Sequence, residues 1–276
     1  MSKTEAEIQL HSREIKELER RLLAETQRRE LLSRGPGDLI YFAERALKLR
    51  PKIGPLEPFR FNRAQNALHE IIERQKRETG RVRVIVLKAR QLGVSTYISA
   101  RFLHRIIYSP ALRCFICAHE KRASANLYAI VRRFFDNLPA DIKPTTSASS
   151  QEELIFAEQD SGYIVGTASL EGAGRSATSQ LIHASEVAFW PDVAAQFASL
   201  IQTVPDMDGT EIIIESTANS FNDFYSLYRK AEAGESEFWP VFLPWSLDLQ
   251  YRRKLDANFE MAADERELAE LHDLDI

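Results

Sequence analysis

The sequence lacks several features that would assign a protein to a class at once. It has only two cysteines in 276 residues, and no apolar run approaches the ~20 residues of a membrane-spanning helix. The N-terminus is charged and polar, so we expect no secretory signal and no membrane association. The formal net charge is only −4, so bulk electrostatics do not mark a nucleic-acid-binding protein. What remains is an ordinary globular composition, 44% hydrophobic and 28% charged, at the size of one large α/β domain.

The two cysteines do not indicate a metal site. Cys114 and Cys117 lie in residues 112–118, an apolar run that predicts a strand. Residues three apart in a strand point to opposite faces of the sheet, and the sequence has no second cysteine pair to complete a zinc site. We therefore interpret both as core residues in a reducing compartment.

Any contact with nucleic acid would have to use local basic clusters. Clusters of this kind are more often solvated faces than binding sites. Two are present: Arg74, Lys76, Arg77, Arg81 and Arg83 form one, and Lys121, Arg122, Arg132 and Arg133 form the other.

Strands alternate with helices along most of the chain. Dense Glu, Arg and Leu residues predict a long charged helix over residues 2–33, and a helix over 38–49 follows. An N-cap at Asn62 predicts a helix that extends to residue 78. The remaining predicted strands are 82–87, 112–118, 153–157, 163–167, 180–184, 211–215 and 238–243, the remaining helices begin near residues 97, 123, 193 and 222, and residues 139–150 are a polar linker. This alternation predicts an α/β fold with a mainly parallel central sheet flanked by helices.

A glycine-containing loop follows the first strand. Residues 84–96 read VIVLKARQLGVST: an apolar strand, a short polar loop with Gly93, the pair Ser95 and Thr96, and then a helical pattern. This is the layout of a phosphate-binding loop, in which backbone N–H groups and the helix N-terminus bind an anion. We predict that residues 88–96 bind nucleotide phosphates and that the hydroxyl of Ser95 binds magnesium.

The loop lacks the lysine of the usual G-x-x-x-x-G-K-[ST] pattern. Val94 occupies the lysine position, and Lys88 lies where the first glycine would be. The cation must then come from Lys88 or Arg90, and the sequence leaves this choice open. A coincidental strand–turn–helix is the alternative.

Candidate polar residues follow three other segments. The pair Ser185-Glu186 ends the strand 180–184; Glu186 is the candidate base for an attacking water, and Ser185 replaces the usual metal-side aspartate. We expect this strand to end beside the loop strand. Gln65, at a helix start, is a candidate to bind adenine with Phe59 or Phe61 stacked on it. The small polar groups after strand 211–215 are candidates to sense the terminal phosphate: Ser216, Thr217, Ala218 and Asn219. Each signal taken alone is weak, since strand ends and helix starts often carry such residues.

The order of these four elements resembles the ATPase domain of the large terminase subunit, the DNA-packaging motor of tailed bacteriophages. The resemblance covers residues 56–245, and it rests on PFRFNRAQ, KARQLGVST, HASEVAFW, ESTAN followed by FNDFY, and FWPVFLPW. It implies a P-loop NTPase of the additional-strand catalytic-glutamate type that uses ATP and Mg²⁺. The implied domains are an N-terminal helical arm (1–50), the ATPase domain (51–247) and a helical connector or lid (248–276) toward a nuclease domain. We therefore expect no nuclease activity from this chain.

The resemblance also implies residue roles. Glu186 resembles the catalytic glutamate, with Ser185 on its metal side acting through water, and Arg175 lies where family members place an arginine that reaches a neighbour's ATP. Gln65 resembles the adenine-reading glutamine, and residues 216–219 resemble the coupling motif. The implied nucleotide-binding residues are Gln65, Lys88, Arg90, Gln91, Leu92, Gly93, Val94, Ser95 and Thr96, with Arg90 as a further catalytic candidate.

The implied partners are double-stranded DNA, a portal protein, a small terminase subunit and further copies of this chain in a ring. The implied place of action is the host cytoplasm, transiently at the portal vertex of the procapsid. Two other functions stay open from the residues alone. A helicase-like ATPase would share the loop and the glutamate strand, although such enzymes usually keep Gly-Lys-[ST] and Asp-Glu. A nucleotide-binding assembly module without hydrolysis would explain the missing lysine and aspartate.

Overall fold

The computed structural model describes residues 3–167, 178–251, 254 and 259–271. Its central feature is an eight-stranded sheet with the strand order β10-β3-β9-β8-β4-β7-β6-β5. The strands are β3 (Val82–Lys88), β4 (Arg113–Ala118), β5 (Thr146–Ser149), β6 (Glu153–Phe156), β7 (Ser161–Thr167), β8 (Leu181–Ser185), β9 (Glu211–Ser216) and β10 (Trp239–Leu243). Each pair of neighbouring strands from β10 to β7 is parallel, and β6 pairs antiparallel with both β7 and β5. The prediction of a mainly parallel sheet is confirmed.

Helices cover both faces of this sheet. The α-helices of the described residues are α1 (Lys3–Arg34), α2 (Leu39–Ala46), α3 (Arg63–Thr79), α4 (Val94–Tyr108), α5 (Lys121–Asp136), α6 (Val193–Ile201), α7 (Asp223–Glu232) and α8 (Ala263–Leu271), and α2 to α7 supply the residues that pack on the sheet. Core residues of α2 to α5 form one buried cluster with alternate strand residues, and core residues of α6 and α7 form the other with the remaining strand residues. The cysteines follow this alternation, since Cys114 belongs to the first cluster and Cys117 to the second. Burial raises the pKa of both thiols, so both are inert core residues.

The start of α3 shows how local sequence fixes an element near the loop. The Asn62 side chain accepts a hydrogen bond from the backbone N–H of Gln65, and the Gln65 side chain accepts one from the backbone N–H of Asn62. This reciprocal capping box satisfies two N–H groups that a helix start otherwise leaves without partners. The helix ends at Gly80, whose φ of 75° suits glycine.

Two local predictions differ from the structure. The helix predicted over 38–49 ends at Ala46, Leu47 is extended, and a short strand β1 (Lys48–Leu49) pairs with β2 (Glu57–Pro58) instead. The predicted linker 139–150 contains β5, a polar edge strand that pairs with β6. Both segments are strands because they pair with a neighbouring strand, and hydrophobic periodicity in the sequence does not predict such pairing.

The sheet order brings a third correction. The glutamate strand β8 does not lie next to the loop strand β3, because β9 lies between them and pairs with both. This inserted strand is the defining feature of the additional-strand class that the resemblance implied. It places the end of β9 at the centre of the site described below.

Residues assigned to the N-terminal arm divide into two parts. The α2 helix is buried against α4, where Phe42 packs edge-on against His104 and Tyr108. In α1, by contrast, Ile15, Leu18, Leu22 and Leu23 are exposed. In the part of the chain described, no helix combines the length and hydropathy needed to span a bilayer.

Candidate active site

The loop between β3 and α4 has the backbone of an anion-binding turn. Gly93 is the N-cap of α4 with a φ of 75°, and Gln91 also has a positive φ, 59°. A Cβ on Gly93 would lie 2.6 Å from Nε2 of Gln65, so both the conformation and the space require glycine. The first N–H groups of α4 have no helical partner and point out of the helix start, which is the feature that binds phosphate.

Gln65 connects α3 to the loop. Its side chain is 3% exposed, and each end of its amide makes one hydrogen bond within the protein. The oxygen accepts from the backbone N–H of Asn62 at 2.9 Å, and Nε2 donates to the carbonyl of Gly93 at 2.8 Å. Asn62 adds a bond from Nδ2 to the Leu92 carbonyl at 3.1 Å. The contact of Gln65 with adenine stays a prediction.

The two aromatic candidates near Gln65 also differ. Phe59 is 1% exposed and packs against Phe134, so it cannot stack on a base. Phe61 is partly buried and packs edge-on against His69 and Tyr97, with its centroid 5.2 Å from that of Tyr97. Of the two rings, only Phe61 keeps exposed surface.

The side chains of the loop point in different directions. Leu92 and Val94 are each 1% exposed and belong to the core, so only their backbone can contact a ligand. Thr96 is partly buried. Arg90 is exposed, and its carbonyl accepts from the hydroxyl of Tyr251 at 2.5 Å. Of the two cations left open by the sequence, Arg90 therefore points to solvent.

Lys88 lies at the centre of a buried ionic cluster. It is the last residue of β3 and is 8% exposed. Its Nζ lies 3.0 Å from Oε1 of Glu186 and 3.4 Å from Oε2 of Glu215. The hydroxyl of Ser95 donates to Oε1 of Glu215 at 2.5 Å, and Nε2 of His183 lies 2.8 Å from the same oxygen. The structure thus brings Lys88, Ser95 and Glu186 together through Glu215.

The charges of this cluster support one another. Burial alone would lower the pKa of Lys88, but Glu215 and Glu186 outweigh it and raise that pKa above its ordinary value. Burial alone would raise the pKa of Glu215, but Lys88 and His183, with the hydroxyl of Ser95, hold it at about 2. At neutral pH the site therefore holds a charged lysine beside ionised Glu215.

Glu186 adopts a strained backbone conformation. Its φ is 52° and its ψ is 44°, in the left-handed region that costs a non-glycine residue about 1–3 kcal/mol. Such strain persists where the surroundings fix it, and two groups of Thr217 do so: its backbone N–H and its hydroxyl both donate to Oε2 of Glu186 at 3.2 Å. The hydroxyl of Ser216 lies 3.5 Å from the same oxygen. The carboxylate is therefore aimed by the end of β9.

The turn after Glu186 and the segment after β9 form one hydrogen-bonded unit. The hydroxyl of Ser216 accepts from the backbone N–H of Ala188 at 3.0 Å. The Asn219 amide donates to the Ala188 carbonyl at 3.0 Å, and Asn222 donates to the same carbonyl at 2.7 Å. Ala218 is exposed and takes no part through its side chain. Ser216 and Thr217 thus contact the glutamate directly, and Asn219 contacts the turn after it, which the sequence alone did not predict.

Ser185 ends β8 and is 4% exposed. Its carbonyl accepts from the indole N–H of Trp190 at 3.0 Å, so the Trp of HASEVAFW closes the turn that carries Glu186. Ser185 pairs in register with Glu215 of β9. Sequence reasoning missed Glu215, and the one available signal was its spacing from Glu211, which puts both on one face of an otherwise apolar strand.

Several predicted features stay outside the cluster. Arg175 lies outside the described residues. In the first basic cluster Arg83 is 4% exposed and Arg81 pairs with Asp206 and Glu237. In the second, Lys121 pairs with Glu152. These pairs occupy part of the positive charge that was considered for nucleic acid.

The donor set fits magnesium carried by a nucleotide. No group of three or more His, Cys, Asp or Glu residues that could hold a metal occurs within the described ranges. Magnesium bound with a nucleotide takes most of its ligands from water and phosphate, and it needs only one or two protein oxygens. The hydroxyl of Ser95, beside the carboxylate of Glu215, supplies such a set.

No protein-family model matches the chain. The large terminase of bacteriophage HK97 superposes with a TM-score of 0.61 at 15% identity, over 86% of this chain and 51% of that protein. The ATPase domain of the large terminase of Thermus phage P74-26 superposes with a TM-score of 0.50 at 19% identity, over 65% of this chain and 79% of that domain. The large terminase of a thermophilic bacteriophage in complex with ATP-γ-S superposes with a TM-score of 0.51 at 10% identity, over 70% and 47%.

This chain spans about half the length of the HK97 terminase and of the terminase solved with ATP-γ-S. The superpositions show a common fold, and the inserted strand β9 and the loop before α4 agree with it. The chain therefore has the fold of the ATPase domain of bacteriophage large terminases.

Proposed function

We propose that this chain is the ATP-hydrolysing motor domain of a viral packaging enzyme that moves double-stranded DNA into a procapsid. The observation that carries the proposal is the convergence of Lys88, Ser95 and Glu186 at the carboxyl edge of the parallel sheet, where α4 begins. This edge is where ligands bind in open α/β sheets. Residues 51–247 are assigned to the ATPase domain, 1–50 to the arm and 248–276 to the connector.

The phosphates of ATP bind to the start of α4. Backbone N–H groups around Gly93 supply neutral donors, and Lys88 supplies the positive charge that Val94 cannot. The burial of Lys88 among carboxylates favours it over Arg90, because a buried cation acts in a lower dielectric than an exposed one. Arg90 is left at the mouth of the site.

Binding of the triphosphate changes the partners of Lys88. In the structure Lys88 holds Oε1 of Glu186 at 3.0 Å. A terminal phosphate near the loop competes for the same ammonium group and frees that oxygen. Thr217 still holds Oε2, so the carboxylate stays oriented while Oε1 accepts a proton from the attacking water.

Magnesium bound with ATP would neutralise charge that develops on the phosphates. The hydroxyl of Ser95 would hold the ion through an oxygen lone pair, while it keeps its own proton and donates it in a hydrogen bond to Glu215.

Coupling to DNA movement proceeds through Ser216 and Thr217. Both touch Glu186, and Asn219 joins the same segment to the turn at Ala188. A change at the terminal phosphate therefore reaches the segment that leads into α7. An Arg175 from an adjacent copy in a ring completes the site, and DNA is held through its phosphates without regard to sequence.

The portal protein and the small terminase subunit are the further proposed partners, and the host cytoplasm is the place of action. The fold, shared with a terminase solved with ATP-γ-S, supports the nucleotide class.

The test is steady-state ATP turnover of Glu186→Gln. We expect turnover to fall on the order of 10²- to 10⁴-fold, because the amide cannot take a proton from water. Glu70→Gln, an exposed glutamate on α3, is the matched control and is expected to keep full turnover. Wild-type turnover in Glu186→Gln would contradict the assignment.

The rivals predict different results. Unwinding of a forked duplex by the wild-type chain would favour a helicase-like ATPase. ATP that binds but is not turned over, with DNA present and in the assembled ring, would favour an assembly module.

A further inference from the structure

The most deeply buried charge of the site belongs to Glu215, to which the steps above give only the hydrogen bond from Ser95. Glu215 is 0% exposed and lies one residue before the end of β9. Its Oε1 accepts from Ser95 and lies 2.8 Å from His183. Its Oε2 is buried and makes no hydrogen bond among the residues described, and the nearest cation, Nζ of Lys88, lies 3.4 Å away. A buried carboxylate oxygen with unused acceptor capacity calls for a ligand or a water.

The register of the sheet relates this carboxylate to Ser185. Glu215 is the cross-strand partner of Ser185 in the parallel pair β8–β9. Partners in register lie on neighbouring strands, about 4.8 Å apart, and their side chains share one face of the sheet. Ser185 stands where the usual pair has an aspartate that binds the waters of the metal. The sheet therefore places the Glu215 carboxylate one strand away from Ser185, the position where the usual pair has an aspartate.

The contact with Ser95 gives the same location independently. Ser95 lies in the first turn of α4 and offers the hydroxyl that fits magnesium. Its hydrogen bond to Glu215, at 2.5 Å, puts the carboxylate beside that hydroxyl. In the described part of the site, Glu186 is held instead by Lys88 and Thr217. The two glutamates thus divide between them the two tasks of the usual Asp-Glu pair.

We propose that Glu215 is the metal-side carboxylate of this site: it replaces the aspartate missing at position 185 and orients the waters of a divalent cation bound with the nucleotide. The inference rests on the proposed nucleotide site but not on hydrolysis. Glu215 acts as a positioning residue, since it reaches the cation through water and through Ser95.

The experiment compares the affinity for AMP-PNP with magnesium and with EDTA. The wild-type chain is expected to bind AMP-PNP more tightly with magnesium. Glu215→Gln keeps the shape of the side chain and removes its charge, so we expect the magnesium-dependent gain in affinity to fall about 10- to 100-fold, the usual cost of losing an outer-shell partner of a metal. Affinity in EDTA is expected to stay within about threefold, which is under 1 kcal/mol.

The rescue variant removes the carboxylate from β9 and places one on β8, at position 185. Glu215→Gln with Ser185→Asp is expected to recover most of the magnesium-dependent gain. A gain unchanged in Glu215→Gln would overturn the proposal. So would an equal loss of affinity with magnesium and with EDTA, which is the mark of a structural brace. If Ser185→Asp does not recover the magnesium-dependent gain, the claim that Glu215 on β9 replaces an aspartate at position 185 on β8 is wrong.

A structure of the wild-type chain with Mg²⁺ and AMP-PNP tests the same claim without a substitution. A Glu215 oxygen within hydrogen-bond distance of a metal-bound water supports the proposal, and a metal shell out of its reach overturns it. The two proposals fail separately: a chain that binds Mg²⁺·AMP-PNP through Glu215 but never hydrolyses ATP refutes the motor function alone. A chain that hydrolyses ATP with an unchanged magnesium effect in Glu215→Gln refutes this inference alone.

Discussion

Strand β9 carries two buried glutamates, Glu211 and Glu215, on the same face of the sheet, and they differ in how their carboxylate oxygens are bonded. Glu211 is 1% exposed and receives two bonds from Arg101, at 2.6 and 3.0 Å, and another from Arg105. Both of its oxygens are used by guanidinium groups. Glu215 has one oxygen used twice and the other without a hydrogen bond among the described residues.

Burial and charge do not separate these two residues. Burial alone would raise the pKa of each, and neighbouring cations hold both at about 2. What separates them is whether both carboxylate oxygens are hydrogen-bonded. Arg101, 2% exposed, donates to both oxygens of Glu211 and also contacts Glu73, whereas Lys88 is shared between Glu215 and Glu186 and one Glu215 oxygen has no hydrogen bond among the described residues. We call the Glu211 arrangement the closed pair, since it leaves no carboxylate oxygen free, and the open arrangement at Glu215 can change partners.

The largest effect is expected from breaking the closed pair. Glu211→Gln removes the buried carboxylate that pairs with both Arg101 and Arg105 and leaves Arg101 only Glu73, so the free energy of unfolding is expected to fall by about 3–5 kcal/mol. Glu215→Gln is expected to cost less, because Lys88 keeps Glu186 at 3.0 Å. Urea unfolding of both variants measures the difference. A larger loss in Glu215→Gln would reverse the comparison.

Ligand-induced stabilisation sharpens the same comparison. AMP-PNP with magnesium, at about 100 times its Kd, is expected to raise the free energy of unfolding of the wild-type chain by about 2.7 kcal/mol. Glu211→Gln is expected to keep this increment, and Glu215→Gln is expected to lose most of it at the same concentration. Thermal melts with and without ligand provide the measurement. A lost increment in Glu211→Gln would mean that the closed pair also shapes the site.

Acid should weaken the fold through Glu211. Its pKa is about 2 when folded and 4.5 is its ordinary value, so its contribution is complete above pH 4.5 and is lost as pH falls toward 2. In that window the unfolding free energy of the wild-type chain should fall more steeply than that of Glu211→Gln, by at most about 1.4 kcal/mol per pH unit. Urea titrations from pH 5 to 2.5 compare the slopes. Parallel curves of unfolding free energy against pH would show that Glu211 binds no additional proton on unfolding.

The smallest effect is expected at the exposed cation. Arg90→Gln should weaken AMP-PNP binding by less than about fivefold, because exposed charge pairs contribute up to about 1 kcal/mol. Lys88→Gln should weaken it by at least about tenfold, since a buried ammonium acts in a lower dielectric than an exposed guanidinium. Fluorescence titration of both variants decides between the two cations. A larger loss for Arg90→Gln would reverse the assignment.

The sequence was sufficient for the elements whose cause is local. The apolar run of β3, the reciprocal cap of α3 at Asn62 and the glycine of the loop are all observed as expected. Their determinants are side-chain periodicity, capping chemistry and backbone conformation, which are properties of adjacent residues. The predicted α/β class follows from them and is confirmed.

The site was less accessible because its contacts are distant in sequence. Glu215 reads as a polar strand end until the sheet order puts β9 between β3 and β8. The hydrogen bond from the Gln65 amide to the carbonyl of Gly93, 28 residues away, is likewise not visible in the sequence. The role of Arg175 stays a prediction.

Arg101 and Arg105 hydrogen-bond to Glu211, the first residue of β9, and these bonds limit how the strand can move. A strand tethered at its start and paired along both edges cannot slide past its neighbours. Under the proposed motor function, a movement that begins at Glu186 is expected to bend the chain beyond Thr217, where pairing ends and Ser220 adopts a positive φ of 62°. The expected hinge is residues 217–222, which lead into α7.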